Sequence, residues 1–294
     1  MSDEAGATEG GAGSLKSEAF PRGLAMPKQS PLFWVAEKDR YLRQLLIRDI
    51  EESTGRRLVV YFADCERPDS GAQIHPTDDA YLAELLKDAA GNPVDLLIET
   101  NGGYTDATEK FVALIRGLAP DIRVIVPRRA KSNGTLVALA GKSIVMGAAS
   151  ELGPIDPNLV LGPGNQVPAQ FILQTQNVDP FLHQAASMAV AQTKKLATSL
   201  LETGMLNGRQ SSEVAELVEK LATRNHFHSH GSVMDADEAI ALGLTVEKLG
   251  PNDPLWERIW LLRCMYAHDL KRANLVKIFE GRFISNSFKP AVHP

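Results

Sequence analysis

The sequence predicts an α/β protein built on a parallel sheet, and three observations carry that expectation. An apolar run over residues 94–100 (VDLLIET) ends in the turn Asn101-Gly102-Gly103 and leads into a helical pattern. A second apolar run, over residues 122–127, leads through a turn holding Lys131, Ser132, Asn133 and Gly134 into another helical pattern. Successive strand–turn–helix corners stack their strands in parallel and gather their turns at one end of the sheet, where a site can form. The third observation is size. A chain of 294 residues, 44% hydrophobic and 23% charged, is ample for one large globular domain with extensions.

Taken in order, residues 1–30 are rich in Gly, Ser, Glu and Ala with little apolar periodicity, so a disordered tail is expected there. The core domain is expected over 31–250 and a helical extension over 251–294. An amphipathic helix from about residue 36 carries Leu42, Leu45, Leu46 and Ile50 at helical spacing and closes at Gly55. Residues 57–63 (RLVVYFA) form the first strand. The polar loop from Cys65 to His75 is long enough to reach over a site. Thr77 is expected to cap the next helix, with Asp78 and Asp79 favourable to its dipole. The strand at 94–100 and the Gly turn precede a helix over 106–118. The strand at 122–127 and the Ser132 turn precede a helix over 133–141, rich in small residues such as Gly134, Ala138 and Ala140. A short strand follows at 143–147. Pro154 and Pro157 hold SELGPIDPN extended, so that it can wall the site. A Gly/Pro-rich loop is expected over 160–168, then helices over 179–202, ended by Gly204, and over 211–224. A last core helix is capped by Asp235 and Gly243 and leads to a strand. Residues 253–279 read as one apolar-faced helix suited to assembly.

The chemistry follows from the two turns. A serine at a tight turn into a helix presents its hydroxyl outward, beside the first free N–H groups of the helix. A Gly-Gly turn lets N–H groups approach a ligand oxygen, because no Cβ intervenes. Ser132 as nucleophile, with an N–H from Gly102 or Gly103 and another from Asn133 as an oxyanion hole, would suit acyl transfer. Each such donor can be worth roughly 3 kcal/mol. An ordinary turn with Ser132 as N-cap accounts for the same residues. Asp106 and Glu109 read as N-terminal helix charges, not as a catalytic carboxylate pair. Arg128, Arg129 and Lys131 make the mouth of the turn basic. They form either a solvated loop or a positive rim that lowers a nucleophile's pKa or holds an acidic substrate group.

The pieces IRDIEESTGRRLVVYF, VDLLIETNGG, IRVIVPRRAKSNGTLVALAGKSIVMG, SELGPIDPNL and DADEAIALGL resemble the serine dehydrogenase proteinases. These are ClpP/crotonase-fold serine peptidases related to signal peptide peptidase A. The resemblance runs over residues 45–249, most of the chain. It implies a ClpP/crotonase-like fold of repeated β-β-α units with added N- and C-terminal helices. It also implies ATP-independent hydrolysis of peptide bonds, no cofactor, and a homo-oligomer. In this clan the region matching 179–202 is a handle that packs between subunits and, in signal peptide peptidases, supplies a catalytic lysine. That implies Lys195 or Lys194 as general base, with Met188 at the place where many relatives carry theirs. The chain departs from the family pattern at Asn101, usually Pro, and at Asn133, usually Gly. Arg128, Arg129 and Lys131 stand where the family usually has a His. Clp-type enzymes carry their His in the segment matching 153–157. This chain has none there, and Asp156 is the nearest ionisable residue. His183 reaches the serine turn only if the handle folds back.

His226, His228 and His230 alternate in a pattern that suits zinc, yet the expected chemistry needs no metal, and a surface or loop role is expected for them. A net charge of −5 gives no reason to expect a nucleic-acid partner. No apolar run approaches the ~18 residues that cross a bilayer. Residues 1–17 have no apolar h-region of a signal peptide. Cys65 and Cys264 stand far apart and read as free cytosolic thiols. The expectation is therefore a cytoplasmic serine peptidase acting on a peptide or protein substrate. Its rivals are a crotonase-like enzyme holding an acyl-CoA thioester in the same hole and a non-catalytic scaffold of the same clan.

Overall fold

The computed structural model describes residues 30–67, 70–162 and 165–290. The tail expected over 1–30 lies outside them apart from Ser30, whose hydroxyl accepts from Phe33 N–H to cap α1 (Pro31–Ala36). Helix α2 (Lys38–Thr54) closes at Gly55 and is followed by β1 (Arg57–Ala63). Then come α3 (Asp78–Asp88), β2 (Val94–Glu99), α4 (Thr105–Leu118) and β3 (Ile122–Val126). Next are β4 (Arg129–Ala130), α5 (Asn133–Leu139), β5 (Ile144–Met146) and β6 (Glu151–Leu152). Strands β7 (Asn158–Gly162) and β8 (Asn165–Pro168) precede α6 (Ala169–Gln174), α7 (Pro180–Thr203) and α8 (Ser211–Ala222). The chain ends through α9 (Ala236–Ala241), β9 (Val246–Lys248), α10 (Pro254–Ala273), β10 (Lys277–Glu280) and β11 (Ser285–Phe288).

The expected parallel sheet is present, with strands ordered β11-β10-β1-β2-β3-β5-β9. From β1 to β9 every pairing is parallel, in registers such as Val94↔Ile122 and Val124↔Ile144. The short strand β4 leaves the end of β3 to pair with β6 in a second small sheet before the chain turns into α5. That step is one β-β-α unit of the expected ClpP-like fold. Both sheet faces are buried, so the strands read as continuous apolar runs. On one face Val59, Leu96, Ile98, Val124 and Met146 pack with residues of α3, α4, α5, α7 and α8. On the other, Leu58, Val60, Leu97 and Ile125 meet Leu46, Ile47 and Ile50 of α2 and Ile259, Leu262 and Tyr266 of α10.

Three expectations change here. Thr77 accepts no cap bond from the helix at its side chain and faces His75 Nδ1 at 3.0 Å, and Asp78 forms a buried ion pair with Lys277. Residues 160–168 hold most of a β-hairpin, with Leu159↔Val167 in register. The helix expected over 253–279 stops at Asn274 in the left-handed conformation. The rest forms β10, antiparallel to β1. Apolar spacing alone did not separate a buried helix from the buried strand after it. The apolar face of α10 therefore covers the sheet rather than a partner. Its Trp256, Ile259, Leu262, Tyr266 and Leu270 are buried. At about 1.5–3 kcal/mol per buried side chain, losing α10 would unfold the domain. A buried network ties these layers together. Arg43 of α2 donates to Glu280 (2.7 Å) and to Asp269 of α10, and Tyr266 donates to Glu280 (2.6 Å).

Among the described residues no helix is long and apolar enough to cross a membrane. Both cysteines are free. Cys65 is buried and its thiol pKa is pushed up by desolvation, while Cys264 is exposed. Since the thiolate is the reactive form, a maleimide is expected to modify native Cys264 and to reach Cys65 only in denaturant. Peptide mapping checks this; fast native labelling of Cys65 would refute it.

Candidate active site

Extending β2 by one residue brings the two turns together. Thr100 bridges Ala130 in parallel, with Thr100 N–H donating to Arg129 O (2.9 Å) and Lys131 N–H to Thr100 O (3.0 Å). Gly102 has φ +101°, and a Cβ there would stand 3.0 Å from Asn133 N and 2.9 Å from Lys131 O. Only glycine fits such a contact. The loop after β1 does reach over the site. Ile74 bridges Gly103, taking Tyr104 N–H at its carbonyl (3.0 Å), and a Cβ on Gly103 would lie 2.3 Å from Ile74 N.

Ser132 occupies the N-cap of α5 but caps nothing with its side chain, and it has φ 52° and ψ −121°. A non-glycine residue held there costs of order 1–3 kcal/mol, and such strain gathers at functional turns. A strained strand-to-helix turn is also how a nucleophile elbow exposes its hydroxyl. Gly102 N–H is taken by Thr100 Oγ1 (3.1 Å). Among the described residues neither Gly103 N–H nor Asn133 N–H donates to a protein acceptor. The family departures are built into the walls. Asn133 Nδ2 donates to Gly103 O (2.5 Å), and Asn101 Nδ2 donates to Cys65 O (2.7 Å).

Gly102, Gly103, Ser132, Asn133, Thr193 and His230 line one cleft of about 500 Å³. A larger hollow of about 650 Å³ is lined by Ile115, Arg116, Leu200 and Met205 among others, and another of about 560 Å³ by Cys65, Glu66, Glu99 and Arg263 among others; neither is lined by Ser132 or by the Gly102–Gly103 turn. Neither expected lysine lines that cleft. Thr193 faces it, and the next two positions of α7 turn away. Lys194 Nζ pairs with Glu219 at 2.6 Å, and Lys195 is exposed. Helical spacing of about 100° per residue is the physical reason. His183 is exposed outside the cleft, and Met188 is 63% exposed.

The basic rim is neutralised. Arg128 pairs with Glu66 (2.7 Å) and Arg129 with Glu151 (2.7 Å). Lys131 is half-buried. Desolvation draws its pKa below the ordinary value despite Glu151 at 3.4 Å. Its ammonium donates to Ser232 O (2.8 Å) and Leu152 O (3.1 Å), so it is a strut. The three histidines diverge, and no group of metal-ligating side chains gathers among the described residues. His226 lies 3.7 Å from Glu238, and His228 meets Arg224 O. His230 Nδ1 is 2.7 Å from Oδ1 of Asp156, whose Oδ2 accepts from Arg224 Nε (2.8 Å). The sequence reading missed this pair. Both residues were visible, but no local pattern joins positions 74 apart.

Comparison with known proteins bears on the family. MJ0137 of Methanocaldococcus jannaschii, an uncharacterized protein, is 29% identical over 194 residues, spanning 63% of this chain and 62% of that protein. The chain thus covers less than two thirds of that relative's length. MJ1495 of the same organism, also uncharacterized, is 37% identical over 82 residues, spanning 28% of this chain and 26% of its own. Among solved structures, a variant of the 1510-N membrane-bound stomatin-specific protease is 21% identical over 62% of this chain and 76% of its own, with a TM-score of 0.42. ClpP1 from Listeria monocytogenes is 14% identical over 70% of this chain and 98% of its own, also at 0.42. The family described as ClpP-like SDH-type serine proteinases matches residues 80–278, which contain both turns and the whole cleft wall from Gly102 to His230, and the chain belongs to that family.

Proposed function

We propose that the protein is an ATP-independent serine endopeptidase, acting on peptide or protein substrates with Ser132 as nucleophile. The observation that carries this reading is the conformation of Ser132, at φ 52° and ψ −121°, on the wall of a cleft. A mere N-cap needs no such strain, and this serine makes no cap bond. Gly103 N–H and Asn133 N–H are the donors for the oxyanion, and Gly102 supplies the close approach of the two turns. Neither lysine of α7 has a part in this reading, and no cofactor does.

A fluorophosphonate probe is expected to label wild-type protein at Ser132, located by peptide mass spectrometry. Hydrolysis of unstructured peptides should proceed without nucleotide. Absence of both across pH 6 to 9 would sink the peptidase reading.

We place the protein in the cytoplasm as a homo-oligomer. Phe181 and Met188 of α7 are 86% and 63% exposed, and two large apolar side chains so exposed on one helix support a subunit contact. Light scattering should give a mass above one chain; a monomer at every concentration would refute it.

A further inference from the structure

We propose that the cleft selects its substrates by a carboxamide side chain, glutamine or asparagine, on the acyl side of the scissile bond, and that Asn158 and Thr193 recognise it. The inference rests on the peptidase reading above and names the substrate class of that same site. Two hydrogen-bonding side chains of the cleft have no partner in the fold. Asn158, the first residue of β7, lines the cleft, and its buried Oδ1 takes no hydrogen bond among the described residues. Thr193 of α7 also lines it and is 2% exposed, yet its hydroxyl bonds to nothing among the described residues. Thr108, Thr203 and Thr223 each donate to the carbonyl four residues earlier, at 3.0, 2.6 and 2.8 Å. Thr193 does not make that usual helical bond. Buried donors and acceptors are normally paired, so two that face one cleft unpaired point to a ligand that pairs them.

The other amides of the cleft are engaged or wet. Asn101 Nδ2 donates to Cys65 O and Asn133 Nδ2 to Gly103 O, while Gln73 is half-buried and Gln166 exposed. Charge narrows the choice further. The described residues lining the cleft include no Asp, Glu, Lys or Arg. The charged groups beside it in sequence are committed elsewhere. Asp156 is bound by His230 and Arg224, and Lys131 donates to Leu152 O and Ser232 O.

A charged substrate side chain would therefore leave water without gaining a free counter-charge. An aliphatic one would leave the Asn158 amide and the Thr193 hydroxyl unpaired. A carboxamide avoids both penalties. It is neutral, and it offers donors and an acceptor to an amide and a hydroxyl that also offer both. Ile155, Pro157 and Val160 give its methylene groups an apolar wall.

The test uses full-length protein at pH 8 and matched unstructured peptides that differ only at the acyl-side residue, which is Gln, Glu, Lys or Met. For wild type, kcat/KM with Gln should exceed each of the others by roughly 10-fold or more. Asn158→Asp should raise Lys against Gln by roughly 10-fold, because the new carboxylate supplies the missing counter-charge. Thr193→Val, which removes the hydroxyl at nearly the same shape, should bring Gln to within about threefold of Met. A merely structural role would lower all four rates together and leave their order intact. The two substitutions lie on different elements, so a folding failure of one leaves the other decisive. Should wild type label at Ser132 but cleave the Gln peptide no faster than the rest, the inference is overturned and the peptidase reading stands. Variants that keep the wild-type order overturn it as well. Wild type that neither labels nor cleaves removes both.

Discussion

Ser132→Gly is expected to be more stable than its parent and inert toward a serine-directed probe. The parent holds a side chain at φ 52° and ψ −121°, where glycine is at ease. Relief of that strain is worth of order 1–3 kcal/mol. Against it stands the added freedom of glycine in the unfolded chain, roughly 0.5–1 kcal/mol. The net gain is about 1 kcal/mol, or a rise of roughly 2–4 °C in the thermal midpoint for a domain of this size. Ser132→Ala separates the two contributions, because it removes the hydroxyl and keeps the strained backbone. It should be equally inert with a midpoint close to the parent's. A Gly variant less stable than the Ala variant by the whole cost of glycine's added freedom, roughly 0.5–1 kcal/mol, would mean that the turn stores no strain and that its geometry is no argument for a nucleophile.

Arg43→Met should be strongly destabilising to the sheet face that α2 and α10 cover. Glu280, 0% exposed, would lose its guanidinium partner, and Asp269, 7% exposed, would be left with Arg272 at 3.9 Å. Breaking a buried ion pair from one side costs about 3–5 kcal/mol, because the remaining charge stays in a poorly solvating interior. Burial disfavours the charge on Arg43, yet Glu280, Tyr266 and Asp269 together hold its pKa above the ordinary value, so the guanidinium keeps its charge in the folded protein. Urea unfolding should show the midpoint fall at unchanged slope. Adding Glu280→Gln to Arg43→Met should restore part of the loss. A contrasting control is Lys194→Ala. That residue's pair with Glu219 is 34% and 52% exposed, and its removal should change stability by less than about 1 kcal/mol. If Arg43→Met cost no more than that control, the network would not be what joins α2, α10 and β10.

Local chemistry made much of the fold legible. The apolar runs gave β1, β2 and β3 nearly to the residue, and Gly55 and Asp235 ended and began their helices as expected. Thr77 failed as a cap because its hydroxyl meets His75 Nδ1 and its backbone is already helical, at φ −79° and ψ −9°. Residues 277–279 read as helix because a fully buried strand and a fully buried helix look alike over a few residues. At the site, Gly102, Gly103, Ser132 and Asn133 could be picked out together, since each sits at a turn whose chemistry is local.

The chain in linear form determined the sheet, its two glycine- and serine-bearing corners, and the family to which they belong. Hydrophobic period, helix caps and glycine conformation all act over a few residues and can be read there. Tertiary structure alone decided which basic side chains line the cleft beside the serine. It turned Lys194 toward Glu219, spent Lys131 on two carbonyls, and brought His230 to Asp156. Those outcomes depend on which way a helix faces once its apolar side is buried and on pairings between distant segments. No local pattern encodes either.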